Sequence, residues 1–356
     1  MTAEAPREPE VEPTFSLISL AYKTEPYVAE MIESVRAQTS PDWELIVVDN
    51  GMSDAIAGIV DSYSADPRIR LVRQENRGMS GGMAAGRAVA RGRYMAVLHS
   101  DDQIMPDFCA RMGSIIAERP DIDAVGCDAY LFSSVDGELL RRTYRRNGWM
   151  KSPRGEKHHR VTLAELISCR QPYYTGAVRR QAWDAVGAYN SGMPRLEDLS
   201  LWVRLVQSGL TVWFTPEPLG RYRICEESLS RGHDISPSFE GTKRLLSEAA
   251  DRSGAAEDLA ARASMLKKVG YLHSLHRARC AFLSDDMAAA RASAAEAFAH
   301  RRTFRSFLVL AGVRLAPALL RLVHPAKQGL ARWITQLWRN ILTRFSWRSG
   351  PRRVAR

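Results

Sequence analysis

Short apolar runs alternate with amphipathic stretches through the first hundred residues. Phe15 to Leu20 reads as a strand. Pro26 then suits the first turn of a helix, where its missing N–H would be unpaired anyway. Val28, Met31, Ile32 and Val35 fall on one face of that helix. Glu44 to Asp49 reads as a short buried strand, and Asp54 as the cap of a helix presenting Ile56, Ile59, Val60 and Tyr63. Arg68 to Arg73 is a third strand, Gly78 to Arg91 a Gly/Ala-rich helix that can pack closely, and Tyr94 to Leu98 a fourth strand. This βαβαβαβ order predicts an α/β fold built on a doubly wound, mostly parallel sheet. Ligands of such sheets bind beyond the carboxyl ends of the strands.

The fourth strand ends abruptly in His99-Ser100-Asp101-Asp102. Two adjacent carboxylates at the end of a buried strand are costly unless something binds them. A Mg²⁺ or Mn²⁺ ion carrying a diphosphate would do so, since Mg²⁺ is held by one or two carboxylates plus substrate phosphates. The other use is that Ser100 or Asp101 caps a helix opened by Pro106. Asp49 sits at a second strand end, and acids on two independent strand ends favour a shared nucleotide site over two unrelated caps.

Beyond Val125 the pattern is less regular. A basic stretch, Arg141 to Arg146 through Lys157 to Arg160, reads as a solvated loop or as an acceptor-binding surface. A helix begins near Arg195, with Leu201, Trp202, Leu205 and Val206 on its buried side and Gly209 at its end. Glu197 and Asp198 lie in its first turn, where the helix dipole favours carboxylates. Residues 236–299 are Ala-rich and helical, without catalytic signatures.

Charge is divided unevenly. Of the 50 Lys and Arg, thirteen follow residue 300, where there is no Asp or Glu. The first 300 residues therefore carry 37 basic against 40 acidic side chains, a net of −3, and the remainder carries +13. Such asymmetry points to a membrane-surface or nucleic-acid partner. In residues 330–346, Leu330, Trp333, Ile334, Leu337, Trp338, Ile341, Leu342 and Phe345 make one apolar stripe with Arg beside it. That pattern reads as an interfacial anchor on an anionic membrane, and two Trp with apolar neighbours suit lipid better than base stacking, so no nucleic-acid partner is expected. The alternative is that this segment packs on the protein or on a second subunit. Phe307 to Val323 is apolar but broken by Arg314, Pro317 and Arg321, short of the ~20 residues a span needs. Residues 1–13 are acidic and Pro-rich, with no signal-peptide pattern, and predict a disordered leader. Five Cys without paired spacing predict neither a disulfide framework nor a zinc site, and fit a reducing compartment.

Over Phe15 to Arg231 the chain resembles the inverting family 2 glycosyltransferases of GT-A fold. The resemblance rests on Tyr22 after the first strand, Val47 to Asp54 at a VVDDGSxD run, Asn76-Arg77-Gly78, and Ser100-Asp101-Asp102 at the DxD position. It continues in Gly176 to Tyr189, ending in VGxY, the Glu197-Asp198 pair, and Tyr222-Arg223. It implies a GT-A domain over residues 14–235; composition and charge add a helical extension over 236–300 and a basic amphipathic, membrane-associating tail over 301–356. The donor would be a nucleotide-sugar: Tyr22 and Asp49 lining the base pocket, Gly78, Ser100 and Asp101 nearby, Arg223 at the diphosphate or on a surface carboxylate, and Asp101 with Asp102 on a divalent metal (Mg²⁺ or Mn²⁺). Asp198 would be the general base and Glu197 would orient the acceptor or the base. The basic tail alone, not the resemblance, leads to the expectation of a glycan or lipid-linked acceptor hydroxyl in cell-envelope synthesis and of a cytoplasmic enzyme peripheral at the inner face of the membrane.

Several positions depart from the family pattern. His99 stands where many members have an acid, Asn50 replaces the second Asp of VVDD, Met83-Ala84 replaces an Arg-Asn pair, and Cys225 lies where a His often follows YR. His99, Met83 and Cys225 support a rival reading, a degenerate member acting as a membrane scaffold; Asp101, Asp102 and Asp198 count against it. A sugar nucleotidyltransferase would want a Gly-rich basic loop after the first strand, where this chain has Ala21-Tyr-Lys-Thr-Glu25.

Overall fold

A computed structural model describes residues 12–147, 155–189, 192–224 and 235–319. Cys225, most of the leader and the 330–346 stripe lie outside them. The chain divides into two compact units, residues 1–269 and 270–356.

The first unit opens with the predicted alternation: β1 (Phe15–Ala21), α1 (Glu25–Arg36), β2 (Trp43–Asn50), α2 (Asp54–Asp61), β3 (Ile69–Gln74), α3 (Gly78–Val89) and β4 (Tyr94–Val97). β1 pairs in parallel with β2 and β4, and β2 with β3. β1 and β2 are buried along nearly their whole length, as strands covered on both faces must be. One boundary differs from expectation. Ser53, not Asp54, caps α2, its hydroxyl accepting the Ile56 N–H at 3.3 Å. Asp54 instead pairs with Arg73 at 2.9 Å.

After β4 come β5 (Gln103–Ile104), α4 (Phe108–Glu118), β6 (Ala124–Ser133), β7 (Leu139–Thr143), α5 (Tyr144–Asn147), β8 (His159–Arg160), α6 (Leu163–Ile167), β9 (Ala177–Arg179), α7 (Arg180–Ala185), α8 (Glu197–Gln207), β10 (Val212–Ile224) and α9 (Ser236–Ser253). The sheet runs β3-β2-β1-β4-β9-β6-β10-β5, with β7 on β6 and β8 on β10. β9 is antiparallel to both β4 and β6, whereas β10 runs parallel to β6. The long strands β1, β2, β3, β4, β6 and β10 thus pair in parallel where they meet, with β9 reversed between β4 and β6 and the short β5, β7 and β8 antiparallel on their partners. α4 starts at Phe108, well past the acids, so neither Ser100 nor Asp101 caps it.

The basic stretch is not simply solvated. Arg145 is buried, 2.6 Å from both Glu156 and Glu165, and His159 Nε2 lies 2.9 Å from Glu165. One guanidinium thereby closes the loop carrying β8 onto α6.

α10 (Ala256–Leu283), α11 (Met287–His300) and α12 (Phe304–Leu315) complete the described chain. In the second unit Tyr271, Leu275 and Ala297 form one small core, and Phe282, Ala290 and Val313 another, with Val309 packed on both. Thr303 and Ser306 form a reciprocal capping box at the start of α12. Among the described residues no helix is long and apolar enough to cross a membrane.

Candidate active site

Past Val97 the chain turns sharply. Leu98 N–H still donates to Ile18 O at 3.0 Å, and Asp102 N–H closes the turn on His99 O at 3.1 Å. Ser100 is buried, its hydroxyl 2.8 Å from Thr24 Oγ1. The Asp102 carboxyl is 1% exposed. Its Oδ1 accepts the Arg223 backbone N–H at 2.6 Å, and its Oδ2 accepts the Tyr174 hydroxyl at 2.5 Å and the Tyr173 hydroxyl at 3.3 Å. Burial, and next the Asp101 charge, push this carboxyl up to about 8 despite its three donors.

His99 and Asp101 are half-buried. The His99 ring stacks on Tyr174 with centroids 3.8 Å apart. Burial lowers the His99 pKa, so its imidazole is neutral at pH 7, and both Asp101 and Asp198 act on it electrostatically. One donor atom from each of His99, Asp101 and Asp102 lies within 4.8 Å of the others. Asp102 already serves three donors, so Asp101 and His99 offer the more open lone pairs. Carboxylate with neutral imidazole fits a divalent cation such as Mn²⁺. His99, which departs from the acid pattern, therefore keeps a ligand atom at the site.

Arg223 holds this turn. Its Nε donates to Asp101 O at 2.6 Å, a terminal nitrogen pairs with Glu30 at 2.6 Å, and its guanidinium lies 4.5 Å from the ring centroids of Tyr27 and Phe132. The guanidinium thus faces Glu30 and the Asp101 carbonyl rather than open space. Tyr173, Tyr174, Tyr144 and Tyr222 pack around Asp102, with Tyr144 edge-on to Tyr173 at 5.2 Å and to Tyr222 at 5.5 Å. Sequence reasoning missed Tyr144, Tyr173 and Tyr174. The only signal was two adjacent Tyr before Thr175-Gly176.

The first two strand ends form the other side. Tyr22 is 45% exposed just past β1, with Lys23 Nζ 5.3 Å from its ring centroid. Its ring lies so close to Gly51 that a Cβ there would stand 2.9 Å from Tyr22 Cδ2. Lys23 and Met52, beside these two strand ends, have φ of 56° and 54°. Left-handed backbone in such residues costs about 1–2 kcal/mol each, and strain of this kind clusters at ligand sites. Asp49 is fully buried: Oδ1 accepts from Ser53 N–H at 3.0 Å and Oδ2 from Arg73 Nε at 3.1 Å. It lies beneath Arg73 rather than open to a base.

Asn50 makes four hydrogen bonds. Its Nδ2 donates to Asn76 Oδ1 and Gly78 O, both at 3.2 Å, while its Oδ1 accepts from Gln74 at 2.7 Å and from Arg77 N–H at 3.2 Å. A carboxylate could not make the two donations. Gly78, at φ 67°, starts α3 in a conformation only glycine adopts freely.

Glu197 and Asp198 open α8, both half-buried in the favourable dipole position. Burial raises both carboxyls, and at Asp198 the Leu199 N–H pulls it partly back. Burial followed by the charge of Asp198 also raises the Tyr144 and Tyr189 hydroxyls, which places Asp198 beside the tyrosine cluster. The structure thus brings His99, Asp101, Asp102 and Asp198 together, with Tyr22, Asp49 and Gly78 along the neighbouring strand ends.

The sequence profile of Glycosyl transferase family 2 matches residues 16–183. EpsH of Bacillus subtilis (strain 168), named as a glycosyltransferase, is 36% identical over 111 residues, 31% of this chain and 32% of EpsH. TuaG of the same organism, named for teichuronic acid biosynthesis, is 27% identical over 223 residues, 62% of this chain and 82% of TuaG. The chain thus spans about a third of the length of the first curated relatives it matches. S. aureus TarS 1–349 in complex with UDP-GlcNAc superposes at TM-score 0.58 and 16% identity, covering 85% of this chain and 91% of that one. A mannosyltransferase from Pyrobaculum calidifontis in complex with GDP-Man and Mn²⁺ superposes at 0.53 and 15% identity, covering 88% of each. These structures share the fold.

Proposed function

From the match of residues 16–183 to Glycosyl transferase family 2 we propose that the chain is a member of that family and moves a sugar from a nucleotide-sugar donor to an acceptor hydroxyl with inversion at the anomeric carbon. The observation that carries this reading is the cluster past β4, where one donor atom from each of His99, Asp101 and Asp102 lies within 4.8 Å of the others, with the Asp198 charge at the start of α8 acting on His99. Asp101 suits the donor diphosphate and its cation; Asp198 suits the acceptor.

The acceptor oxygen attacks the anomeric carbon while Asp198 takes its proton. The bond from that carbon to the diphosphate oxygen breaks, and the nucleoside diphosphate leaves. A positioned base of this kind contributes about 10²–10⁴-fold. Glu197 orients the acceptor. A divalent cation, Mg²⁺ or Mn²⁺, held by Asp101 with His99 and Asp102, would neutralise charge gathering on the diphosphate. Arg223 is a positioning residue that fixes the Asp101–Asp102 turn, and Ser100 braces that turn against Thr24. Tyr22 offers its exposed ring to the base, with Asp49 below holding Arg73 at the rim and Asn50 holding the start of α3 at Gly78. Nucleotide-sugar complexes of the fold neighbours, one of them with Mn²⁺, support this donor class. The name of TuaG supports a cell-envelope polysaccharide acceptor. The catalytic domain covers residues 14–235, residues 236–300 extend it, and residues 301–356 hold the protein peripherally at the inner face of the membrane.

A panel of UDP- and GDP-sugars, each with and without Mn²⁺, tests this by thermal shift and by donor turnover. One donor should stabilise the protein only with the metal, by about 2.7 kcal/mol at a hundred times its Kd. Absence of any metal-dependent donor turnover would overturn the reading.

A further inference from the structure

α12 turns an apolar face away from the core of its own unit. Ser306 and Val313 are buried, and Val309 packs on both small cores. On the opposite side Phe304 is 77% exposed and Leu315 83%, with Phe307 and Leu308 about half exposed. Phe304, Leu308, Ala311 and Leu315 stand at i, i+4, i+7 and i+11, which is one continuous stripe on a helix. Arg305 and Arg314, both exposed, lie on its two flanks, and Arg301 and Arg302 precede it. No Asp or Glu occurs anywhere from residue 301 to 356, against thirteen Lys and Arg.

We infer that this face of α12 docks on an anionic lipid surface. The geometry is that of an interfacial helix: large apolar side chains for the acyl boundary, with Arg along both edges at the headgroup level. The charge decides between occupants. A protein partner or a second copy of this chain would have to bring a matching acidic face, and the first 300 residues of this chain carry a net charge of only −3. A leaflet of anionic phospholipid presents negative charge everywhere the Arg can reach, worth about fivefold in partitioning for each Arg near the surface. This deepens the peripheral location proposed above, assigning it to described residues ahead of the 330–346 stripe, and does not depend on the sugar chemistry.

The test uses the full chain and flotation with vesicles of phosphatidylcholine alone or mixed equally with phosphatidylglycerol. The wild type should bind only the mixed vesicles. Phe304→Ser with Phe307→Ser should weaken binding about tenfold or more, since each loses the burial of a large apolar side chain. Arg305→Gln with Arg314→Gln should weaken it by about 25-fold, fivefold for each charge. These side chains are exposed, so circular dichroism should show an unchanged fold. Wild type that ignores both vesicles, or variants that bind like wild type, would overturn the inference. So would a wild type that dimerises in solution through this face and is made monomeric by the Phe substitutions. Wild type that turns over donor but binds neither vesicle counts against α12 docking alone; wild type that binds the mixed vesicles but turns over no donor counts against the sugar-transfer reading alone.

Discussion

His99 lies flat on Tyr174, ring centroids 3.8 Å apart and 15° from parallel, and the same phenol donates to Asp102 at 2.5 Å. One side chain therefore sets the orientation of both neighbours of Asp101. Tyr174→Phe keeps the ring and deletes the donor. It should cost about 1–3 kcal/mol of stability, the penalty for a buried acceptor that loses its partner. If Asp102 matters to the donor site, KM for the donor should rise more than kcat falls. Denaturant titration and steady-state kinetics read the two effects separately; an unchanged KM would confine Tyr174 to folding.

Asp198→Asn preserves shape and removes the base. Turnover should drop by about 10²–10⁴-fold, with donor affinity held within a few-fold because Asp198 is proposed to act on the acceptor rather than on the nucleotide. Calorimetry of donor binding beside a turnover assay checks this. A variant that turns over normally would move the base elsewhere.

The pH profile follows from the same residue. Asp198 must be ionised to accept a proton, and burial raises its carboxyl. The rate should therefore fall as pH drops through a value above the ordinary carboxylate range of about 4, and that acid limb should be absent from the residual rate of Asp198→Asn. An acid limb unchanged in that variant would assign it to another group.

Asn50→Asp restores the family's acid and should nevertheless destabilise the protein. The new oxygen can donate to neither Asn76 Oδ1 nor Gly78 O. The cost should be about 1–3 kcal/mol, seen as a lower denaturation midpoint, with weaker donor binding as the start of α3 loosens. A stabilised variant would show that these contacts are dispensable.

Glu44 governs acid stability far from the site. Burial opposes its charge, but Ser16, the Arg91 N–H and Arg70 more than offset this and leave its pKa below 4.5. A depressed carboxyl stabilises the fold above its unfolded value of 4.5, and that contribution is lost as pH falls through the lower folded value. Glu44→Gln should cost about 1–3 kcal/mol at pH 7 and flatten the stability curve below pH 4.5.

The first four strands were legible because apolar period and turn residues agree there. β5 and β8, two residues each, carry no pattern to read, and β10 is interrupted by register shifts at Phe214, Pro218 and Gly220. The acids drew attention because isolated carboxylates at strand ends are expensive. The tyrosines around Asp102 did not, since a buried aromatic looks the same in a sequence whether it fills a core or donates a hydrogen bond. Asn50 was harder still: it reads as a lost charge, and only the positions of Asn76 and Gly78 show why an amide belongs there. The sequence leaves Arg223 open between the diphosphate and a surface carboxylate because Glu30, its partner, lies 193 positions away.

That distance has a temporal side. Asp102 reaches Arg223 across 121 positions of chain. At about 5–20 residues per second of synthesis, the Asp101–Asp102 turn waits on the order of ten seconds on the ribosome before its clamp exists. The parallel half of the sheet can form in that interval, but the growing chain holds two unclamped acids until β10 emerges, so the turn is completed late and all at once rather than strand by strand.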